Sequence, residues 1–299
     1  MDFDSEIRNA AFNWLLEQKN ILGDVLPRKL LEQGFLFEGI KIPLVSPQGI
    51  FKPQMLEIPL SITTAPKGPY NDSFSDDGLL LYRYRGTDPS HRDNVGLRIA
   101  YKKSTPLVYF HGILPGQYMA VWPVYITGDD PKKLLFKVAV DDMQNLSFGE
   151  DLSLVAEESE SRRTYITVAV KQRLHQRNFR ERVLMAYQTS CAFCNLRHRE
   201  LLDAAHIIPD CEPESKPIVS NGMALCKLHH SAYDSFILGV TPDFLIKVRD
   251  DVLNEEDGPI LKYGLKQLHN SSMILPSSKN HWPGKEYLEW RYERFKKVA

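Results

Sequence analysis

The sequence predicts an α+β protein in two parts. Three observations carry this. Short apolar runs separated by Pro, Gly and Asp fill residues 35–141. A single long segment of helical spacing follows at 166–188, with a marked excess of arginine. Beyond it, Cys and His recur in two pairs, each with a two-residue gap. A chain of 299 residues is long enough for two domains.

The elements follow in order. Ile7, Ala10, Ala11, Trp14 and Leu15 are spaced as one face of a helix over residues 5–17. A short helix is expected over 27–33, opened by Pro27. Residues 35–65 then turn strand-like, as in "FEGIKIPLVSPQGIF" and "LEIPLSI". Four further strand runs are "LLLYRYRG", "PLVYFHG", "VWPVYITG" and "LLFKVAV". Acid- and Ser-rich residues 146–163 are read as a linker. The segment "ITVAVKQRLHQRNFRERVLMAYQ" is the basic helix, and "KEYLEWRYERFKK" closes the chain with Leu288, Tyr292 and Phe295 on one stripe. The expected division is therefore 1–60, a small helical or winged element; 61–145, a β-rich domain; 146–163, the linker; and 164–299, the Cys/His domain with its basic lead-in helix.

Composition narrows the class. Apolar content of 43% and charged content of 25% belong to an ordinary globular chain. No run approaches a membrane span, and the acidic start lacks the pattern of a signal peptide, so a cytoplasmic location is expected. Net charge is −1, which gives no global attraction to nucleic acid. The charge is local instead. Residues 162–182 hold Arg162, Arg163, Lys171, Arg173, Arg177, Arg180 and Arg182 against one acid, Glu181. Such a run is either a solvated helix face or a phosphate-binding stripe.

Cys191 and Cys194 form one Cys-x-x-Cys pair; Cys226 and His229 form a Cys-x-x-His pair. Four such ligands suit a tetrahedral structural zinc ion. The alternative is a redox dithiol at Cys191 and Cys194, which would open a helix in a thioredoxin-like unit that the sequence lacks. Cys211 is left over. His229 belongs to the zinc, so the adjacent His230 is free for a second site, and Asp234 follows it by one helical turn. Upstream, "LLDAAHIIPD" carries His206 and "SNGMALC" carries Asn221.

This ordered His206–Asn221–His230, interleaved with the zinc pairs over residues 184–240, resembles the HNH nucleases. The resemblance implies a ββα-metal fold in which two strands bear the first His and the Asn, and a helix bears the last His. It implies that His206 is the general base that activates water. His230 and Asp234 would hold one Mg²⁺ or Mn²⁺ ion, the carboxylate favouring these hard cations. Asn221 would brace the loop that orients His206; its alternative is a turn-forming Asn before Gly222. The chain departs from many relatives at Ala205, where they carry a metal ligand. Asp203 has no assigned role. Beside this unit, Arg173, Arg177 and Arg180 lie three and four residues apart and are the candidate DNA-phosphate contacts.

The stretch from "GPYNDSFSDDGLLLYRYRG" to "PLVYFHGILPGQY" is weakly similar to SRA (PUA-like) barrels, which flip out a modified cytosine. The shared order is an acidic turn with Gly, an aromatic strand, Asp-Asn, a helix and a Pro-led strand. A pocket for a flipped base needs aromatic faces and polar edges. Tyr82, Tyr84, Asp93, Asn94, Tyr109, His111 and Trp122 are its candidates, together with Tyr118; for each, an ordinary core aromatic or turn residue is the alternative. As a whole the chain resembles bacterial McrA-like modification-dependent restriction endonucleases. The implied function is metal-dependent cleavage of double-stranded, modified DNA in defence, with a homodimer as one way to cut both strands. Two other readings remain: a DNA-binding protein with an inactive HNH module, and a nuclease whose first domain senses a small ligand.

Overall fold

A computed structural model describes residues 3–66, 79–141 and 156–298; for 156–161 it describes the backbone only. The acidic turn Asp76-Asp77-Gly78 and residues 146–155 of the expected linker lie outside the described residues. The chain divides into two compact units, Met1–Leu174 and His175–Ala299.

The first unit begins with helix α1 (Phe3–Leu22), strand β1 (Val25–Pro27) and helix α2 (Arg28–Gln33). Strands β2 (Phe35–Phe37) and β3 (Ile40–Ile42) make a small hairpin. The main sheet uses β4 (Ile50–Phe51), β5 (Ser61–Thr64), β6 (Leu80–Arg83), β7 (Leu107–Leu114), β8 (Gln117–Asp130) and β9 (Leu135–Val140), with helix α3 (Arg92–Lys102) between β6 and β7. Its order is β4-β5-β7-β8-β9-β6, and β1 adds to β8. The sheet curls into a half-barrel. All pairs are antiparallel except β5 with β7.

Strand β7 explains why both faces of this sheet are covered. Successive side chains point to opposite faces. Val108 and Phe110 enter one core, with Ile7, Phe12, Leu15 and Leu31 of the N-terminal helices. Leu107, Tyr109 and Ile113 enter another, with Leu97 of α3 and Val170 and Leu174 further on. A strand buried on both sides reads as a continuous apolar run, and "LVYF" is one. Arg8, fully buried on α1, ties that helix to the sheet: its guanidinium donates to the carbonyls of Ile58, Pro59 and Pro106 and pairs with Asp4.

The α+β class is as the sequence predicts. The expected elements differ in their limits. Strands β1 and β4 come from the first 60 residues yet belong to the main sheet, because their edges complete β8 and β5. Helix α4 spans Ala156–Ala186 and so begins inside the segment read as linker. Its second turn is tied to Asp141, a buried carboxylate just after β9, 3.1 Å from Arg162 and 2.7 Å from Arg163.

In the second unit the C-terminal part of α4 leads to strand β10 (Leu202–His206), strand β11 (Gly222–Cys226) and helix α5 (Lys227–Asp234). A second hairpin, β12 (Leu238–Val240) with β13 (Ile246–Val248), follows, then the short α6 (Asp250–Leu253), a π-helical turn at Ile260–Leu265 and the last helix α7 (Lys285–Phe295). Their common core holds Phe179, Val183 and Leu184 of α4, Met223 and Leu225 of β11, Tyr233, and Leu288 of α7. Among the described residues, no helix is long and apolar enough to cross a membrane.

Candidate active site and metal centre

The adjacent histidines of α5 point to different places. His229 is buried on the inner face of the helix and His230 is part-exposed. This is the geometry of consecutive positions on a helix, about 100° apart.

His229 completes a cluster with Cys191, Cys194 and Cys226, whose ligand atoms all lie within 4.8 Å of one another. Nδ1 of His229 is 3.4 Å from Sγ of Cys191 and 3.3 Å from Sγ of Cys226. A tetrahedral zinc ion with ordinary bond lengths would hold N and S ligands about 3.5 Å apart, so the donor set fits. The other ring nitrogen, Nε2, lies 2.8 Å from the carbonyl of Gly264 in the π-helical turn. That contact sets Nε2 as the donor and leaves Nδ1 its lone pair for a metal, as outer-shell carbonyls do in metal sites. The clustered thiols share their protons unequally: the Cys226 thiol is pulled below its usual range and the Cys194 thiol is pushed above it. Cys211 is exposed and outside the cluster.

The second site sits on the β10–β11 hairpin and the outer face of α5. The hairpin register sets His206 opposite Gly222 and Leu202 opposite Cys226, so one pair of strands carries His206 at one end and a member of the cysteine–histidine cluster at the other. His206 is half-buried. Burial pulls its pKa below the ordinary histidine value; the charges of Asp210, Asp203 and Asp234 oppose this and His230 adds to it. The imidazole is therefore held neutral, the state a proton acceptor needs.

Asn221 is fully buried just before β11. Its Oδ1 accepts from the Ile208 amide at 2.9 Å, and its Nδ2 donates to Ile208 O, Ser215 Oγ and Lys216 O at 3.2, 3.2 and 3.1 Å. The side chain thus closes the loop that leaves His206.

His230 Nε2 is 3.2 Å from Asp234 Oδ2. Two ligands on adjacent corners of an octahedron with bonds of about 2.1 Å stand about 3.0 Å apart, so this pair fits a Mg²⁺-sized ion. Nδ1 of His230 lies 3.8 Å from Asp203, which Arg180 holds at 3.2 Å. Ala205 is fully buried in the core. Among the described residues, the zinc-type cluster is the one group of three or more metal-ligating side chains drawn close together. His230 and Asp234 are a pair.

The three arginines assigned to phosphate part company. Arg180 is engaged within the protein, donating to the carbonyl of Leu202 at 2.8 Å and pairing with Glu181 and Asp203. Its fork is spent joining α4 to β10. Arg173 is exposed and Arg177 part-exposed.

In the first unit, the polar edges of the pocket candidates meet internal partners. Tyr109 bonds Thr64 Oγ1 at 2.9 Å and His111 Nδ1 at 3.0 Å. Tyr82 donates to the carbonyl of Thr63 at 3.3 Å. Tyr84 donates to Asp129, accepts from Arg98 and stacks on Phe136. Asp93 pairs with Arg85, and buried Asn94 accepts from the Arg85 amide at 2.8 Å. Tyr118 accepts from Arg28 at 3.1 Å. Trp122 is half-buried, and its Nε1 has no hydrogen-bond partner among the described residues.

Sequence spacing missed three contributors: Phe179, whose ring stacks on His206; Gly264, which fixes His229; and Arg291 of α7, which donates to the Tyr233 carbonyl at 3.0 Å and lies 3.8 Å from Asp234 Oδ1. None has a motif, and each reaches the site from a distant element.

Comparison with known proteins places an HNH endonuclease family model on residues 191–241. No curated protein matches the chain. Among solved structures, the modification-dependent TagI restriction endonuclease aligns over 79% of this chain and 81% of its own, at 13% identity and a TM-score of 0.28. ScoMcrA, a Type IV phosphorothioation-dependent restriction endonuclease, aligns over 60% of this chain and 48% of its own, at 15% identity and a TM-score of 0.22.

Proposed function

We propose, from the premise that residues 191–241 form an HNH endonuclease domain, that the protein is a metal-dependent DNA endonuclease restricted to modified DNA and acting in defence. The observation that carries the nuclease reading is the His206–Asn221–His230–Asp234 arrangement on one hairpin and helix.

His206 accepts a proton from the attacking water, which its neutral, half-buried state permits. Asn221 keeps the loop beyond His206 closed and so fixes the backbone of the base. His230 Nε2 and Asp234 Oδ2, 3.2 Å apart, would hold a Mg²⁺ or Mn²⁺ ion, which would supply positive charge to the scissile phosphate and the leaving oxygen. Cys191, Cys194, Cys226 and His229 would hold zinc and so lock α5 against the hairpin. Arg173 and Arg177 supply phosphate contacts. The half-barrel of the first unit selects the modified base, and the part-exposed ring of Trp122 is its first residue to test.

The test is plasmid cleavage with Mg²⁺ or Mn²⁺ on unmodified, cytosine-methylated, hydroxymethylated and phosphorothioated DNA, with His206→Ala in parallel. Cutting of one modified substrate, abolished in the variant, is expected. Equal cutting of all four would remove the reader. Equal nicking by wild type and variant would remove His206 from catalysis.

A further inference from the structure

Phe179 belongs to α4, outside residues 191–241. Its ring lies flat on the imidazole of His206, with centroids 3.9 Å apart and planes within 8°. Aromatic pairs usually settle into edge-on or wider offset arrangements, so a contact this close and parallel needs a constraint. Gly222 supplies it. This glycine is the register partner of His206 across the hairpin. Its φ is −138°, ordinary extended backbone that any residue adopts, so conformation does not require glycine here. Space does: a Cβ at this position would stand 2.7 Å from Phe179 Cζ and 2.6 Å from Val183 Cγ2. The missing side chain is the seat of the Phe179 ring. Phe179 itself is buried in the core of the second unit and has no room to swing away.

We infer that Phe179 is a positioning residue for the general base, sealing one face of the His206 imidazole and fixing its plane. This rests on the reading of His206 as the base. A ring pinned on one face keeps its nitrogens in a single plane, so the reacting nitrogen need not be ordered when substrate arrives. The same phenyl ring excludes water from that face. The titratable groups acting on His206 are Asp203 on β10, Asp210 in the loop beyond it, and His230 and Asp234 on α5. From α4 the site receives this apolar face and Arg180, which pairs with Asp203.

The experiment uses the full chain with zinc retained and no added divalent ion. Histidine carbons are labelled, and the His206 ring signals are identified by their loss in His206→Ala. Under the stack, these signals lie upfield in wild type, because protons beside a phenyl face feel its ring current. In a folded Phe179→Leu they return to ordinary positions. Nicking, read separately with Mg²⁺, should fall in Phe179→Leu in kcat rather than KM, at pH 8 as well as at pH 6, because a base no longer held in one plane is misplaced for the water and not for DNA binding. Gly222→Ala, which displaces the ring without altering it, should move the His206 signals in the same direction. Wild-type signals at ordinary positions would overturn the inference without any variant, and so would an undiminished kcat in a folded Phe179→Leu. If instead His206→Ala nicks like wild type, the general-base reading fails while the measured stack stands.

Discussion

Replacing Asn221 by Asp or Ala tests whether the buried amide holds the catalytic loop. The side chain is fully buried: its Oδ1 accepts from one amide, and the two hydrogens of Nδ2 are shared among three acceptors, all within residues 208–216. In Asn221→Ala all of these contacts are lost. At a net value of about 1 kcal/mol for each of the three hydrogens involved, the cost is about 3 kcal/mol. The second unit has about 125 residues, for which 1 kcal/mol moves the melting midpoint by about 4 °C. A drop of about 12 °C follows. Asn221→Asp keeps the shape but puts a carboxylate against the carbonyls of Ile208 and Lys216. Only the protonated acid can donate there, so the folded-state pKa rises above the unfolded value of about 3.9. A raised pKa means that the folded state binds the proton more tightly. Stability is then greatest below the unfolded pKa and is lost as pH rises through the folded one. Thermal unfolding by circular dichroism at several pH values reads both variants against wild type. If Asn221→Asp melts with wild type at pH 8, the amide donors do not hold the loop, and the bracing role assigned to Asn221 is wrong.

Three further outcomes are expected. Cys226→Ser should lose bound zinc, measured by metal analysis, and with it the cooperative unfolding of the second unit, since structural zinc carries folding energy; Cys211→Ser, exposed and outside the cluster, should keep both. Arg291→Met should destabilise the second unit by about 2–4 kcal/mol in denaturant titration, because it removes a charged donor from the C-terminal carbonyls of α5 and the cation from over Phe236; an unchanged midpoint would show α7 to be dispensable for α5. Arg8→Met should cost the first unit about 3–5 kcal/mol, three buried carbonyls losing their donor, and a change below 1 kcal/mol would refute that account.

Much of the candidate site was legible because its parts are close in sequence. Cys226, His229, His230 and Asp234 lie on one strand end and one helix, where 3.6-residue periodicity alone separates a buried His from a part-exposed one. The Cys191–Cys194 pair needs only the adjacent hairpin to reach them. The edges of helices were less legible. The acidic residues before 164 looked like a linker, but Asp141 just after β9 pairs with Arg162 and Arg163 and draws them into α4.

By itself, then, the sequence determined the α+β class, the metal-type cluster and the order His206, Asn221, His230. All of these rest on local spacing, which the backbone turns into geometry with few choices. Tertiary structure decided what each polar edge meets. Arg180 lies in a run that reads as phosphate-binding, but Asp203, Glu181 and the Leu202 carbonyl claim its fork. Tyr82, Tyr84 and Tyr109 have the composition of a base pocket, but strands brought from 19 to 45 residues away supply partners for their hydroxyl groups. Phe179 carries no motif and is set against His206 by a glycine 43 residues further on. Pairings between distant segments depend on register and packing, and residue type alone does not encode them.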